Sequence, residues 1–185
     1  YNANGTIAQK VTPDGTTKYR YNSNKQLSNV NSYGTVSHTY GYDSKGRVTS
    51  VIDSIPGTSP LTSTFTFDSY GRSSTITHAS GLVETNNYNS NGYLFRIDAG
   101  GNAVWTASSM NARGQVTAGQ YGSNLSAGYG FDNYGYPTSI TAGTNNSTQN
   151  FTYNFNTSTG NLNWRQNNNG TELKESFNYD NLDRL

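Results

Sequence analysis

Apolar and polar residues alternate in short runs along this chain, and clusters of Asn, Asp, Ser and Gly interrupt the runs at intervals of roughly ten residues. Alternation of that kind signals strands rather than helices. Tyr19 and Tyr21 alternate with Lys18, Arg20 and Asn22, so at a side-chain period of two both rings fall on one face. The segment Tyr40-Gly41-Tyr42-Asp43-Ser44-Lys45-Gly46-Arg47-Val48 shows the whole pattern: aromatic, any residue, aromatic, Asp or Asn, a short turn to Gly, and a new strand.

That pattern returns from one end of the chain to the other. Units start at Tyr1, Tyr21, Tyr42, Phe67, Tyr88, Met110, Phe131, Phe155 and Tyr179, and subtraction gives spacings of 20, 21, 25, 21, 22, 21, 24 and 24 residues. A period near twenty marks a repeat architecture. Each unit reads as two strands and two reversals. In the first, Pro13-Asp14-Gly15 supplies the reversal: Pro presets φ, Asp bonds its own backbone and Gly accepts φ > 0. The third inserts Ile55-Pro56-Gly57-Thr58-Ser59-Pro60, a loop because neither proline can donate to a sheet ladder. Two units depart from the pattern. Lys25 stands where Gly is usual, with Asn24 expected in the left-handed conformation instead, and Met110 keeps its turn but loses the ring.

The expected fold is therefore all-β: tandem antiparallel hairpins of about 21 residues each, forming one continuous sheet that coils or curves. A lone hairpin is marginal in water, so neighbouring repeats must support one another through stacked aromatic pairs. The anchors are Tyr21; Tyr42, Asp43 and Gly46; Phe67, Asp68 and Gly71; Tyr88 and Gly92; Gly114; Phe131, Asp132 and Gly135; Phe155 and Gly160; and Tyr179 and Asp180. The residue after the turn is aliphatic at Ile7, Leu27, Val48, Leu94, Val116 and Leu162, often with another three places on, as at Val30, Val51 and Ile97. Three is not a strand period. A bulge between the two positions would put both on one face and bend the sheet in every unit.

Composition adds little to the architecture and removes many functions. The 12 Lys and Arg are scattered and balance 11 Asp and Glu, which argues against a nucleic-acid or anionic-membrane footprint. The absence of Cys excludes disulfides, thiolate catalysis and Cys-ligated zinc. No apolar run approaches the ~20 residues of a membrane helix. Residues 1–185 read as a single array of about eight repeats whose ends fall inside repeats, so we expect it to be excised from a longer protein. Good strand formers at both ends, Thr6 and Ile7, Phe177 and Tyr179, lead to the expectation of edge-to-edge self-association.

Tyr42-Asp43-Ser44-Lys45-Gly46-Arg47-Val48, Phe67-Asp68-Ser69-Tyr70-Gly71-Arg72, Phe131-Asp132-Asn133-Tyr134-Gly135 and Tyr179-Asp180 resemble the YD-repeat, or Rhs-repeat, family, whose unit is written around Tyr-Asp-x-x-Gly-Arg-Leu. Asn replaces Asp in the units at Tyr1, Tyr21, Tyr88, Met110 and Phe155, and Arg follows the turn Gly at Arg47 and Arg72. The resemblance implies a hairpin strip that spirals into a hollow shell. In polymorphic bacterial toxins and insecticidal toxin complexes such a shell encloses a toxic C-terminal segment, and in teneurins a related shell belongs to an adhesion receptor. It further implies a secreted or cell-surface protein of the bacterial envelope, partnered by the remaining repeats of its parent chain.

Candidate chemistry is sparse. Stacked Asp43, Asp68, Asp132 and Asp180 suggest calcium, but one carboxylate per turn offers too few oxygens, and an Asp or Asn that bonds its own turn explains the position. His38 and His78 carry no neighbouring carboxylate or Ser in a recognisable motif. No catalytic, cofactor-binding or metal-binding residue is therefore expected, and the chain reads as a non-enzymatic scaffold. The other reading is a carbohydrate-binding or adhesion module, with Trp105 and Trp164 as a ligand platform.

Overall fold

The computed structural model describes all 185 residues. Its strands are β1 (Gln9–Thr12), β2 (Gly15–Tyr21), β3 (Leu27–Ser32), β4 (Val36–Tyr42), β5 (Val48–Ser54), β6 (Leu61–Phe67), β7 (Ser73–Thr77) and β8 (Val83–Tyr88). There follow β9 (Leu94–Ala99), β10 (Asn102–Met110), β11 (Val116–Tyr121), β12 (Leu125–Phe131), β13 (Pro137–Ala142), β14 (Gln149–Phe155), β15 (Leu162–Asn167) and β16 (Leu173–Ser176). All sixteen belong to one sheet, and their order in the sheet is their order in the chain. A single 3₁₀ turn, Thr144–Asn146, interrupts the loop before β14.

Two compact units make up the chain. The first comprises Tyr1–Asn86 with Ala99–Gly101, the second Asn87–Asp98 with Asn102–Leu185. In both, packing runs between strands adjacent in sequence.

Six returns from an anchor turn carry the same irregularity. Tyr21 faces Leu27, Arg20 faces Asn29 and Tyr19 faces Val30, so Ser28 is an extra residue on β3. Leu27 and Val30 consequently share the face of the two tyrosines. Thr49, Ser74, Thr117, Thr138 and Asn163 occupy the same place opposite Tyr42, Phe67, Met110, Phe131 and Phe155. A bulge with two residues against one is what lets aliphatics three apart join one apolar face.

The ring face is only half covered. No large side chain is fully buried, and the deeply enclosed residues are small: Gly119 and the facing pair Ala127 and Ala142, the alanines at 8% and 6% exposed. Stability in each unit thus rests on half-buried rings and aliphatics spread along the sheet rather than on a closed core.

One local expectation fails. Lys25, at φ 61°, and not Asn24, takes the left-handed position. The reason lies two residues earlier: the Asn22 side-chain oxygen accepts the N–H of Asn24 at 3.0 Å and holds it in the first part of the turn. The strained position is fixed by the turn, whatever residue falls there.

Candidate functional site

The recurring element is the anchor turn, and its chemistry starts from one side chain. Asp43 Oδ1 accepts the backbone N–H groups of Lys45 and Arg47 at 2.9 Å each, while Oδ2 accepts from Arg47 Nε at 2.8 Å and Nη2 at 2.7 Å. Asp68 does the same with Tyr70 and Arg72, and Asp180 with Leu182 and Arg184. Each carboxylate is spent on closing its own turn. Arg184 escaped the sequence pattern because Asp183, at φ 57°, stands where Gly usually precedes the arginine. Its signal was the spacing of four from Asp180.

In two of the turns where Asn replaces Asp, the partner is Gln instead of Arg. Asn22 accepts the N–H groups of Asn24 and Gln26 and donates Nδ2–H to Gln26 Oε1 at 2.8 Å. Asn111 and Gln115 repeat this arrangement, with 2.9 Å between the amides. In these turns a carboxylate meets a guanidinium or an amide meets an amide, whereas Asp132 and Asn89 close their turns on the backbone N–H groups of Tyr136 and Tyr93.

The residue that closes one turn also reaches the next. Gln26 Nε2 donates to the carbonyl of Gly46, and Gln115 Nε2 to that of Gly135, both at 3.1 Å. Arg47 places its guanidinium carbon 4.0 Å from the Phe67 ring centroid, Tyr136 stacks on Phe155 at 5.2 Å and 11°, and Asn161 donates to Asp183 at 2.7 Å. Two-way contact comes from the anchors. The hydroxyls of Tyr21, Tyr42 and Tyr179 donate backwards to the carbonyls of Ile7, Leu27 and Leu162, at 3.1, 2.7 and 3.2 Å. Turn Gly114 shows why the position stays small: a Cβ there would lie 2.4 Å from the Tyr93 ring.

These contacts set the local electrostatics. The N–H of Arg47 first, then its guanidinium, hold the Asp43 carboxyl below its usual 3.8 against partial desolvation. At Asp68 desolvation pulls upward, but the N–H and guanidinium of Arg72 outweigh it, and at Asp180 the Arg184 guanidinium leads the lowering. Elsewhere, desolvation and the hydrogen bond to Tyr121 at 3.0 Å push the Tyr129 phenol up to about 12.

The histidines differ from the sequence reading, since each has a carboxylate. His38 Nδ1 lies 2.6 Å from Asp53 Oδ1, and His78 Nε2 lies 3.6 Å from Glu84 Oε2. Register explains the first pair: β4 and β5 place His38 opposite Asp53, 15 residues away. Neither imidazole hydrogen-bonds a Ser or Thr hydroxyl, and His38 is 41% exposed. No three His, Asp or Glu side chains gather at one place.

Trp105 and Trp164 stand on opposite faces. Trp105 faces Tyr121, whose hydroxyl meets Tyr129 on the ring face. Register carries that face through Ile140 and Phe151 to Tyr153 and Phe155, whereas Trp164 is opposite Asn154, between those two. They therefore form no common platform, and Lys174 Nζ covers Trp164 at 4.3 Å from its centroid.

Fold and turns together define a tandem β-hairpin repeat protein. No known family profile matches the chain, and no curated protein matches it. Solved structures do. The chain is similar to the TcdB2–TccC3 complex (16% identity, TM-score 0.73, 94% of this chain and 11% of that one). It is similar also to TcdB2–TccC3–Cdc42 (15%, TM-score 0.60, 98% and 13%) and to the Tc holotoxin pore of Photorhabdus luminescens carrying a TccC3 mutation (14%, TM-score 0.59, 98% and 13%). At these identities the likeness is one of fold. The chain spans 11% to 13% of the length of these three neighbours.

Proposed function

We propose that the chain is a non-enzymatic structural segment of an Rhs/YD-repeat shell or surface scaffold, in a secreted or surface-attached bacterial protein that encapsulates or delivers a toxin. The observation that carries this reading is the ladder of turns. One residue per repeat closes its own turn and then engages the next, through Gln26 to Gly46, Arg47 to Phe67, Gln115 to Gly135 and Tyr136 to Phe155. Side chains so committed build a wall. The fold likeness to TcdB2–TccC3 supports a shell as the kind of wall. The parent gene product tests this under limited proteolysis: a C-terminal segment protected until the repeats are cut supports encapsulation. A freely cleaved segment, or a single repeat module on a wall anchor, counts against it.

The partners on this reading are further repeats. Strands β1 and β16 lie at the two ends of the strand order, each with one unpaired side. Copies of the isolated chain should therefore associate edge to edge, by β-augmentation. Sedimentation at rising concentration checks this, and a strict monomer at about millimolar concentration, where even weak association registers, would refute it.

A further inference from the structure

In the first unit the hairpin between β3 and β4 turns through Tyr33-Gly34, with φ of 55° and 74°. Two positive φ values in succession are the territory of Asn-Gly or Gly-Gly, and a bulky aromatic there is under strain. Burial does not compensate, since Tyr33 is 53% exposed. Its ring instead lies across Gly15, where a Cβ would come within 2.2 Å of ring carbon Cδ1. The chain thus gives up an easy turn residue at position 33, and what it gains is an open aromatic face.

That face borders a cleft of about 580 Å³ lined also by Gln9, Asp14, Lys18 and Asn31. Register sets Gln9, Lys18 and Asn31 side by side on three strands, on the face away from Tyr19. Several amides elsewhere in the chain are tied down, as at Asn22, Asn87, Asn111 and Asn161. Here none of the four polar side chains holds a protein partner. We propose that this cleft binds a neutral saccharide, its apolar C–H face on Tyr33 and its hydroxyls on Asp14, Lys18, Gln9 and Asn31. An aromatic face beside paired donors and acceptors suits a ring that is apolar in the middle and hydroxylated at the rim. One acid and one base leave the site neutral, so a multiply charged ligand would bring an uncompensated charge.

The site is independent of the shell reading, which stands whether or not sugar binds. The test is an amide NMR titration of the ¹⁵N-labelled chain with glucose, galactose and N-acetylglucosamine, each to about 100 mM, the range that a millimolar site requires. At least one sugar should give saturable shifts confined to the amides around Gly15, Thr16 and Tyr33. Tyr33→Asn should weaken binding at least about tenfold while its thermal midpoint holds or rises, because Asn accepts the left-handed conformation. No saturable shift with any of the three, or unchanged shifts in Tyr33→Asn, would overturn the proposal.

Discussion

Arg47 lies over the ring of Phe67, its guanidinium carbon 4.0 Å from the centroid, while Asp43 grips the same guanidinium from its own turn. Two repeats are joined by one side chain. The Nη1 nitrogen, enclosed beside Phe67 and Gly71, has no hydrogen-bond acceptor and faces the ring instead. The same position carries Gln26, Tyr93, Gln115 and Tyr136 in other repeats, the glutamines reaching the next turn by an amide-to-carbonyl hydrogen bond and the tyrosines by their rings.

Tyr42 tests the backward half of the ladder. Tyr42→Phe removes the 2.7 Å hydrogen bond to the Leu27 carbonyl and should cost about 1 kcal/mol in urea unfolding. Tyr42→Ala removes the ring as well. Full burial would put that loss at about 3 to 5 kcal/mol, and half-burial brings it to roughly 2. A loss under about 0.5 kcal/mol for the alanine variant would show that the ring supports nothing.

A glycine in the inserted loop and a glycine at an anchor turn separate strain from crowding. Gly57→Ala places a Cβ in open space at φ 80° and should cost about 1 to 2 kcal/mol for the left-handed backbone alone. Gly114→Ala has nearly the same φ, 77°, but drives its Cβ into the Tyr93 ring. Its thermal midpoint should fall clearly further, and equal losses would mean that Tyr93 does not pack on the turn.

Acid should weaken the folded chain once the pH drops below the ordinary carboxylate range, since the turn carboxylates hold their charge longer than those of the unfolded chain. Asp43, Asp68 and Asp180 are lowered from 3.8, so their contribution to stability is present above that pH and is lost as pH falls through the depressed folded values. Urea midpoints measured from pH 5 to pH 2 should fall below about pH 4. In the triple variant Asp43→Asn, Asp68→Asn, Asp180→Asn the fall should be shallower. Adding Arg47→Gln to Asp43→Asn should recover much of the neutral-pH loss, because it recreates the Asn22–Gln26 arrangement.

Strand alternation, hairpin reversals and the repeated bulge were legible because each is a local matter of period and turn chemistry. Leu27 and Val30, three apart, already demanded an irregular strand, and Ser28 provides it. Register-dependent facts were not legible. Nothing near His38 in sequence points to Asp53, and nothing near Gln26 points to Gly46, since both partners arrive through strand order. The faces of Trp105 and Trp164 depended on counting through bulges, each of which reverses the parity of all that follows. Arg184 was missed because Asp183 hid the turn that a Gly would have announced.

Coupling between neighbouring repeats is the centre of this account, and a double-mutant cycle on Arg47 and Phe67 measures it most directly. Urea unfolding of the parent chain, Arg47→Ala, Phe67→Leu and the double variant should give a coupling energy of about 0.5 to 1 kcal/mol, the worth of a cation–π contact at a half-exposed site. Additive losses, within about 0.3 kcal/mol, would contradict it and leave the repeats joined by their backbone ladders alone.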